Sequence, residues 1–138
     1  MAKPKSSLQV LLVDDSVLVR ERLGELLETA EHVTVCGAAG GVEEALAIIA
    51  AAPPDVVILD LDLPDGNGLQ VLHAVERMPL PAHVIILTMY PFRVFGQQCL
   101  AAGAACYLEK AGPIERVVDV INELGHQQAV SRRQSPVS

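Results

Sequence analysis

Three carboxylates, one hydroxyl and one ammonium stand at comparable places in this chain. The apolar run Leu8–Val13 ends in Asp14 and Asp15, and Val56–Leu59 ends in Asp60. The run 84–87 ends in Thr88, and 106–108 leads one residue later to Lys110. Runs this short and this rich in β-branched residues read as strands buried on both faces. If they lie parallel in one sheet, all five polar groups gather at its C-terminal edge, where open α/β sheets bind ligands. That set suits a divalent metal and a phosphoryl group.

The chemistry follows from charge. Three close carboxylates repel one another, so without a cation the cluster titrates as a coupled set with at least one raised pKa. A bound Mg²⁺ relieves this, since it takes oxygen ligands and keeps several waters, leaving room for a phosphate oxygen. One carboxylate can then act as nucleophile and become an aspartyl phosphate. Phosphoryl transfer asks the protein mainly for in-line positioning and for neutralisation of the equatorial oxygens. Lys110 and Thr88 are suited to two of those oxygens.

The elements that must position these groups alternate. The strand of residues 8–13 is followed by a helix that Ser16 can cap, with Val19, Leu23, Leu26, Leu27 and Ala30 at helical spacing. A short strand at 33–36 precedes a loop from Gly37 to Gly41. Val42, Ala45, Leu46 and Ile49 line a second helix, which Pro53 and Pro54 stop. After the strand 56–59, residues 60–68 form a turn-rich loop holding Pro64, Gly66 and Gly68. Leu69, Leu72 and Val75 mark a third helix, and 84–87 a fourth strand. Pro91 is placed as the first residue of helix four, with Phe92, Phe95 and Cys99 as its core stripe. Strand five is 105–108, and Pro113 opens helix five, with Val117, Val118, Ile121 and Leu124 inward.

Alternation of this kind implies α/β architecture: a parallel sheet with right-handed crossovers. The second strand is the weakest and belongs at an edge, which favours the flavodoxin-like (βα)5 three-layer sandwich with order 2-1-3-4-5. Strands one and three are then neighbours, and Asp14, Asp15 and Asp60 converge. The expected organisation is a flexible N-terminal tail at 1–7, one domain at 8–126 and a disordered tail at 127–138.

Composition bounds the rest. The chain has 138 residues, 51% of them hydrophobic, with no Trp and a net charge of −7. One domain of this length buries roughly 65–70% of its unfolded surface and needs no disulfides. No basic run offers a nucleic-acid footprint, the N-terminus has no apolar signal-peptide region, and no apolar run is long enough to span a membrane. Cys36, Cys99 and Cys106 form no C-x-x-C and read as buried thiols of a reducing cytosol. His32, His73, His83 and His126 lack metal-ligand spacing and read as surface or interface histidines, and Arg132-Arg133 as a solvated tail.

The segments VLLVDDSVLVRERL, VVILDLDLPDGNGLQVL, VIILTMY and AGAACYLEK resemble the receiver (CheY-like) domain of bacterial two-component response regulators, over roughly residues 8–125. The specific combination is an acidic pair, D-x-x-x-P-x-x-x-G, Thr and Tyr-x-x-Lys, each at a strand end. The resemblance implies that Asp60 is the phosphoacceptor, that Asp15 ligates Mg²⁺ directly with Asp14 nearby or through water, and that the Asp62 backbone carbonyl is a further ligand. It implies that Thr88 is the switch hydroxyl, Tyr107 the switch aromatic that turns inward with it, and Lys110 the lysine that pairs with a carboxylate and then with the phosphoryl group. Asp62, Met89 and Tyr90 occupy positions that tune adduct lifetime in this family. The phosphodonor implied is a sensor histidine kinase or a histidine phosphotransfer protein, in the cytoplasm. The output implied is a downstream protein bound by helix four, strand five and helix five, with no direct nucleic acid or membrane contact. The helix-four side is also a candidate homodimer surface, although Gln97 and Gln98 offer it no charge network.

Departures from the common pattern are Ala111 where many receivers carry Pro, Met89 where small residues are frequent, and Cys106 where Gly usually precedes the switch Tyr. Other readings stand beside this one. The chain could be the receiver part of a longer LuxR-type transcriptional regulator, or a pseudo-receiver that works without phosphorylation. Asp60-Leu61-Asp62 also resembles the D-x-D motif of haloacid-dehalogenase-type phosphatases, but Leu63-Pro64 follows it where Thr or Val is usual. Taken singly, Asp14-Asp15 would be a helix cap, Lys110 a solvated lysine and Tyr107 a half-buried strand aromatic.

Overall fold

The computed structural model of the protein describes residues 7–134, with side-chain surroundings for residues 7–125. The main sheet has five strands, β1 (Leu8–Val13), β2 (Val33–Ala39), β3 (Val56–Leu59), β4 (His83–Thr88) and β5 (Cys106–Glu109). Between and after them lie α1 (Val17–Glu28), α2 (Val42–Ala51), α3 (Leu69–Glu76), α4 (Phe92–Ala101) and α5 (Arg116–Gln134). These five strands are parallel, in the expected order β2-β1-β3-β4-β5. Within the expected loop after β3, the short segments Asp62–Leu63 and Gly66–Asn67 pair antiparallel as a separate ribbon.

Alternation along the strands divides the core into two layers. Leu11, Val13, Val57, Leu59, Val84 and Ile86 pack with α2, α3 and Cys99 of α4. Val10, Leu12, Val56, Ile58, Ile85 and Leu87 pack with Leu23 and Leu27 of α1 and Val117 and Ile121 of α5. Full burial of one such side chain contributes about 1.5–3 kcal/mol. Both faces of the central strands are covered, which is why these runs are continuously apolar.

Several boundaries differ from the sequence expectation. Strand β2 continues through the expected loop to Ala39, because pairing with β1 resumes after a bulge at Cys36. The low strand propensity of Gly37, Ala38 and Ala39 hid this. Cys36, expected to be buried, is exposed at the bulge, whereas Cys99 is buried and Cys106 half-buried; partial desolvation of each sulfur pushes all three thiols above their ordinary pKa. Such thiols are poor nucleophiles. Pro91 is the N-cap of α4, not its first residue. Phe92 is 40% exposed and therefore outside the core stripe that Phe95 and Cys99 maintain. Pro113 sits in a turn, its carbonyl accepting from Arg116 N–H at 3.2 Å, and α5 proper begins at Arg116.

Helix α5 runs to Gln134, where a disordered tail was expected from Gln127. No Gly or Pro interrupts 126–134, and Gln, Ala and Arg there are good helix formers. Ser7, expected in the N-terminal tail, is buried and its hydroxyl lies 2.6 Å from that of Thr34. Residues 1–6 and 135–138 of the expected tails, and the side chains of His126 and Arg132-Arg133, lie outside the described residues.

Two helix starts show how loops are held near the sheet's C-terminal edge. Ser16 caps α1 as expected, its Oγ accepting from Val19 N–H at 3.2 Å. Helix α2 has only Gly41 at its N-cap, and the cap comes from elsewhere: the Asp65 carboxylate accepts from Val42 N–H at 2.7 Å and Glu43 N–H at 3.0 Å. A Cβ on Gly41 would fall 2.7 Å from Asp65 Oδ1, so a larger residue there would push the capping carboxylate off its place.

Those two N–H groups lower the Asp65 pKa. Its contribution is therefore present above the unfolded carboxylate value and lost as pH falls through the lowered one. Asp65→Asn is expected to unfold at lower temperature than the parent at neutral pH, with the gap closing in acid. Melting curves of the two proteins across pH 2–6 check this; a gap of constant size would refute it.

Candidate functional site

Strand register brings the polar ends together. Val13 pairs with Leu59 and Leu59 with Ile86, so Asp14 and Asp60 leave adjacent strands side by side. Thr88 pairs with Glu109 at the end of β4 and β5, and Lys110 N–H donates to the Thr88 carbonyl at 2.8 Å. Asp60 N–H donates to the Val13 carbonyl at 2.9 Å, and Asp14 N–H to that of Ala39 at 3.0 Å.

At the centre, Lys110 Nζ lies 2.7 Å from Asp14 Oδ2 and 2.8 Å from Asp60 Oδ2. The remaining oxygens face backbone donors, Ser16 N–H to Asp14 Oδ1 at 2.9 Å and Asp62 N–H to Asp60 Oδ1 at 3.2 Å. Asp14 and Asp60 are only 3% and 4% exposed. Burial pushes the Asp14 carboxyl above the usual carboxylate range, although Lys110 and the Ser16 N–H oppose this. Burial acts to lower the Lys110 pKa, but its hydrogen bonds to Asp14 and Asp60 outweigh that and raise it.

Asp15 is exposed and completes an acidic group in which carboxylate oxygens of Asp14, Asp15 and Asp60 lie within 4.8 Å of one another. One ammonium cannot balance three carboxylates. An oxygen-only donor set with excess negative charge fits a hard cation such as Mg²⁺. Thr88 is fully buried, and its hydroxyl has no hydrogen-bond partner. Such a group costs about 1–3 kcal/mol when left unsatisfied, and it is suited to donate to an incoming oxyanion.

The sequence-derived residues thus separate into two groups. Asp14, Asp15, Asp60, Thr88 and Lys110 collect at one edge. Asp62 reaches Asp60 through its N–H, while its own side chain points to solvent. Met89 and Tyr90 follow Thr88 and are 70% and 38% exposed. Tyr107 is half-buried, and its hydroxyl donates to the Tyr90 carbonyl at 2.8 Å. Burial, assisted by neighbouring Cys99, Glu109 and Asp60, pushes its pKa up to about 12. The peptide joining Lys110 to Ala111 is trans.

Two contributions went unread in the sequence: that of Arg20, and the packing reason for Gly68, the last residue of the D-x-x-x-P-x-x-x-G motif. Arg20 Nη1 donates to the Asp14 carbonyl at 2.5 Å, fixing the acidic turn from one helical turn beyond Ser16. Its place on the first turns of α1 was the available signal. Gly68 read as a turn residue, yet it has ordinary helical φ and ψ. Its role is space, since a Cβ there would lie 2.3 Å from the Asp60 carbonyl oxygen.

Comparison with known proteins agrees with this geometry. A family model described as response regulator receiver domain matches residues 10–122. The sensory transduction protein LytT of Bacillus cereus is 33% identical over 121 residues, covering 88% of this chain and 48% of LytT. The DNA-binding transcriptional activator DevR/DosR of Mycobacterium tuberculosis is 42% identical over 103 residues, covering 74% of this chain and 47% of that protein. The chain spans about half the length of these relatives. Among solved structures, the signal receiver domain of the putative response regulator NarL from Mycobacterium tuberculosis has 30% identity and a TM-score of 0.80, covering 88% of this chain and 98% of that one. The match takes in Asp60-Leu61-Asp62 as part of a receiver, which displaces the haloacid-dehalogenase reading. No described helix is long and apolar enough to cross a membrane. With its five-stranded parallel sheet and an acidic edge closed by Lys110, this chain belongs to the response regulator receiver domain family.

Proposed function

We propose that this receiver takes a phosphoryl group onto Asp60 from a phospho-histidine of a sensor kinase or a histidine phosphotransfer protein, in the cytoplasm. The observation that carries it is the buried pair of carboxylates, Asp14 and Asp60, held by one lysine beside the orphaned Thr88 hydroxyl. The Asp14, Asp15 and Asp60 carboxylates and the Asp62 main-chain carbonyl would hold Mg²⁺. That ion supplies charge neutralisation for the transferring group.

An Asp60 carboxylate oxygen attacks phosphorus, the bond from phosphorus to the donor imidazole nitrogen breaks, and the imidazole leaves with the electron pair and takes a proton. Lys110 exchanges its contact with Asp60 for a phosphoryl oxygen, and Thr88 gains an acceptor for its hydroxyl. The new anion carries more charge and more acceptor oxygens than the carboxylate it replaces. Tyr107 follows Thr88, and the face of α4, β5 and α5 changes toward a protein target. Moving such a switch from 1:99 to 99:1 requires about 5.5 kcal/mol of differential stabilisation, within reach of several charge-assisted hydrogen bonds and metal coordination. Asp62, Met89 and Tyr90 border the phosphoryl site and tune how long the adduct lasts.

The test is the intact mass after incubation with acetyl phosphate, with Mg²⁺ or with chelator. One added phosphoryl group, dependent on Mg²⁺ and mapping to the peptide that holds Asp60, is the expected result. A folded protein that gains no mass under either condition would favour a pseudo-receiver. A second reading places this receiver within a LuxR-type transcriptional regulator. It is favoured by 42% identity to part of the DNA-binding transcriptional activator DevR/DosR and by 28% identity, with a TM-score of 0.81, to a LuxR-family two-component response regulator from Aurantimonas sp..

A further inference from the structure

Helix α4 carries a glycine in its interior, where glycine is an unfavourable helix former. Gly96 is nevertheless buried, and the group that covers it is the ring of Phe92, one turn earlier. A Cβ at residue 96 would sit 2.0 Å from Phe92 Cδ2 and 2.3 Å from Cε2. The ring occupies the space that a side chain would take. So seated, it meets Tyr107 edge to face, with centroids 5.5 Å apart and planes at 88°.

Strand β5 closes the arrangement. Tyr107 and Glu109 are two apart and share one face of the strand. Tyr107 donates its hydroxyl to the Tyr90 carbonyl, and Glu109 Oε2 accepts from Phe92 N–H at 3.2 Å. Helix α4 has no side-chain cap at Pro91, so Glu109 serves a backbone donor that would otherwise face water. Tyr90 in turn packs edge to face on Phe95, at 5.0 Å. The segment from Tyr90 to Phe92 is therefore tied to β5 at both ends, with the Phe92 ring between the Gly96 seat and Tyr107.

We propose that Phe92, seated on Gly96, is a latch that keeps Tyr107 on the Tyr90 carbonyl and so opposes the switched state. This rests on the phosphoacceptor reading above and adds its regulation. By reciprocity, whatever stabilises the resting position of Tyr107 weakens the binding of the group that favours the other position. Loss of one edge-to-face contact corresponds to an about two- to tenfold change in that equilibrium. The seat, and not the phosphoryl site alone, then sets the threshold.

The protein has two Tyr and two Phe, so ring-labelled NMR spectra contain four ring systems. In Gly96→Ala the new methyl displaces the Phe92 ring, which is already part exposed and free to turn to solvent, and Ala favours the helix. The expected result is a cross-peak between the Phe92 and Tyr107 rings in the parent and its loss in Gly96→Ala. The Tyr107 signals should also move toward their position in the parent saturated with beryllofluoride and Mg²⁺, and the variant should bind beryllofluoride about two- to tenfold more tightly. Phe92→Leu, which leaves the Gly96 backbone untouched, should act in the same direction. Unchanged Tyr107 signals and equal beryllofluoride affinity in both variants, with the parent responding normally, would overturn the latch alone. A parent that shows no beryllofluoride response would overturn the phosphoacceptor reading, and the latch with it.

Discussion

Asp60→Asn should take up no phosphoryl group from acetyl phosphate and Mg²⁺, yet in chelator it should melt at a higher temperature than the parent. The first half follows from loss of the nucleophilic carboxylate. The second follows from charge. Asp14 and Asp60 are both buried and share one ammonium, so the pair of carboxylates and Lys110 carries net negative charge away from water. Removing one carboxylate leaves Asp14 with Lys110 as a balanced pair. Lys110→Met makes the opposite change and leaves two buried carboxylates without a cation. Breaking a buried pair in this way costs about 3–5 kcal/mol, and the lower end applies because the Lys110 side chain keeps 15% exposure. Mg²⁺ should restore much of that loss in Lys110→Met, through the same three carboxylates. Acid should restore it too. The Asp14 pKa is already raised by burial, and Lys110 is one of the groups holding the rise in check. Without the lysine it climbs further, and the penalty fades as pH falls through that higher value. Calorimetric melting of the parent and both variants, with Mg²⁺ and with chelator, at pH 5 and pH 7.5, gives all these comparisons. Destabilisation of Asp60→Asn in chelator would overturn the charge argument.

The parts of the fold that could be read from sequence were those dictated by burial on both faces. The bounds of β1 and β3 match expectation because Leu8–Val13 and Val56–Leu59 are continuous apolar runs closed by aspartates. Strand β2 was cut short because its second half is Gly37, Ala38 and Ala39, and only pairing with β1 makes that stretch a strand. The acidic cluster was legible for a topological reason: once β1 and β3 are neighbours, the residues after them must meet. What lay hidden depended on contacts across elements. Asp65 caps a helix it does not belong to. Arg20 reaches back to a carbonyl. Phe92 has the spacing of a core residue but leans on a glycine and a tyrosine at the surface. Periodicity assigns a side to each residue of an isolated helix, and it says nothing about a partner that arrives from another part of the chain.

Gly68 is the sharpest instance of such a hidden contact, and replacing it should have the largest structural effect near the site. Its N–H donates to the Leu61 carbonyl at 2.9 Å, closing the loop after β3 onto the start of α3. Its φ of −56° and ψ of −21° suit any residue, so backbone freedom is not the reason for glycine. The reason is contact: a Cβ would lie 2.3 Å from the Asp60 carbonyl oxygen, 2.9 Å from Leu61 Cα and 3.1 Å from Asp60 C. All three are backbone atoms, and none can swing aside as a side chain would. Gly68→Ala must therefore push α3 away or shift the Asp60–Leu61 peptide. Overpacking of this kind costs about 1–3 kcal/mol. Moving Asp60 also disturbs its 2.8 Å contact with Lys110 and its place beside Asp14 and Asp15. A displacement of 1 Å at a reacting group is enough to cost about a hundredfold in rate, so phosphorylation by acetyl phosphate should slow by at least about tenfold. Gly24→Ala supplies the control, because nothing lies within 4 Å of the Cβ it would add in the middle of α1. That variant should gain about 0.5–1 kcal/mol from helix propensity and phosphorylate at the parent rate. Urea unfolding and the rate of mass gain, measured on both variants, separate the two sites. Parent-like stability and rate in Gly68→Ala would show that the peptide after Asp60 yields without moving the carboxylate.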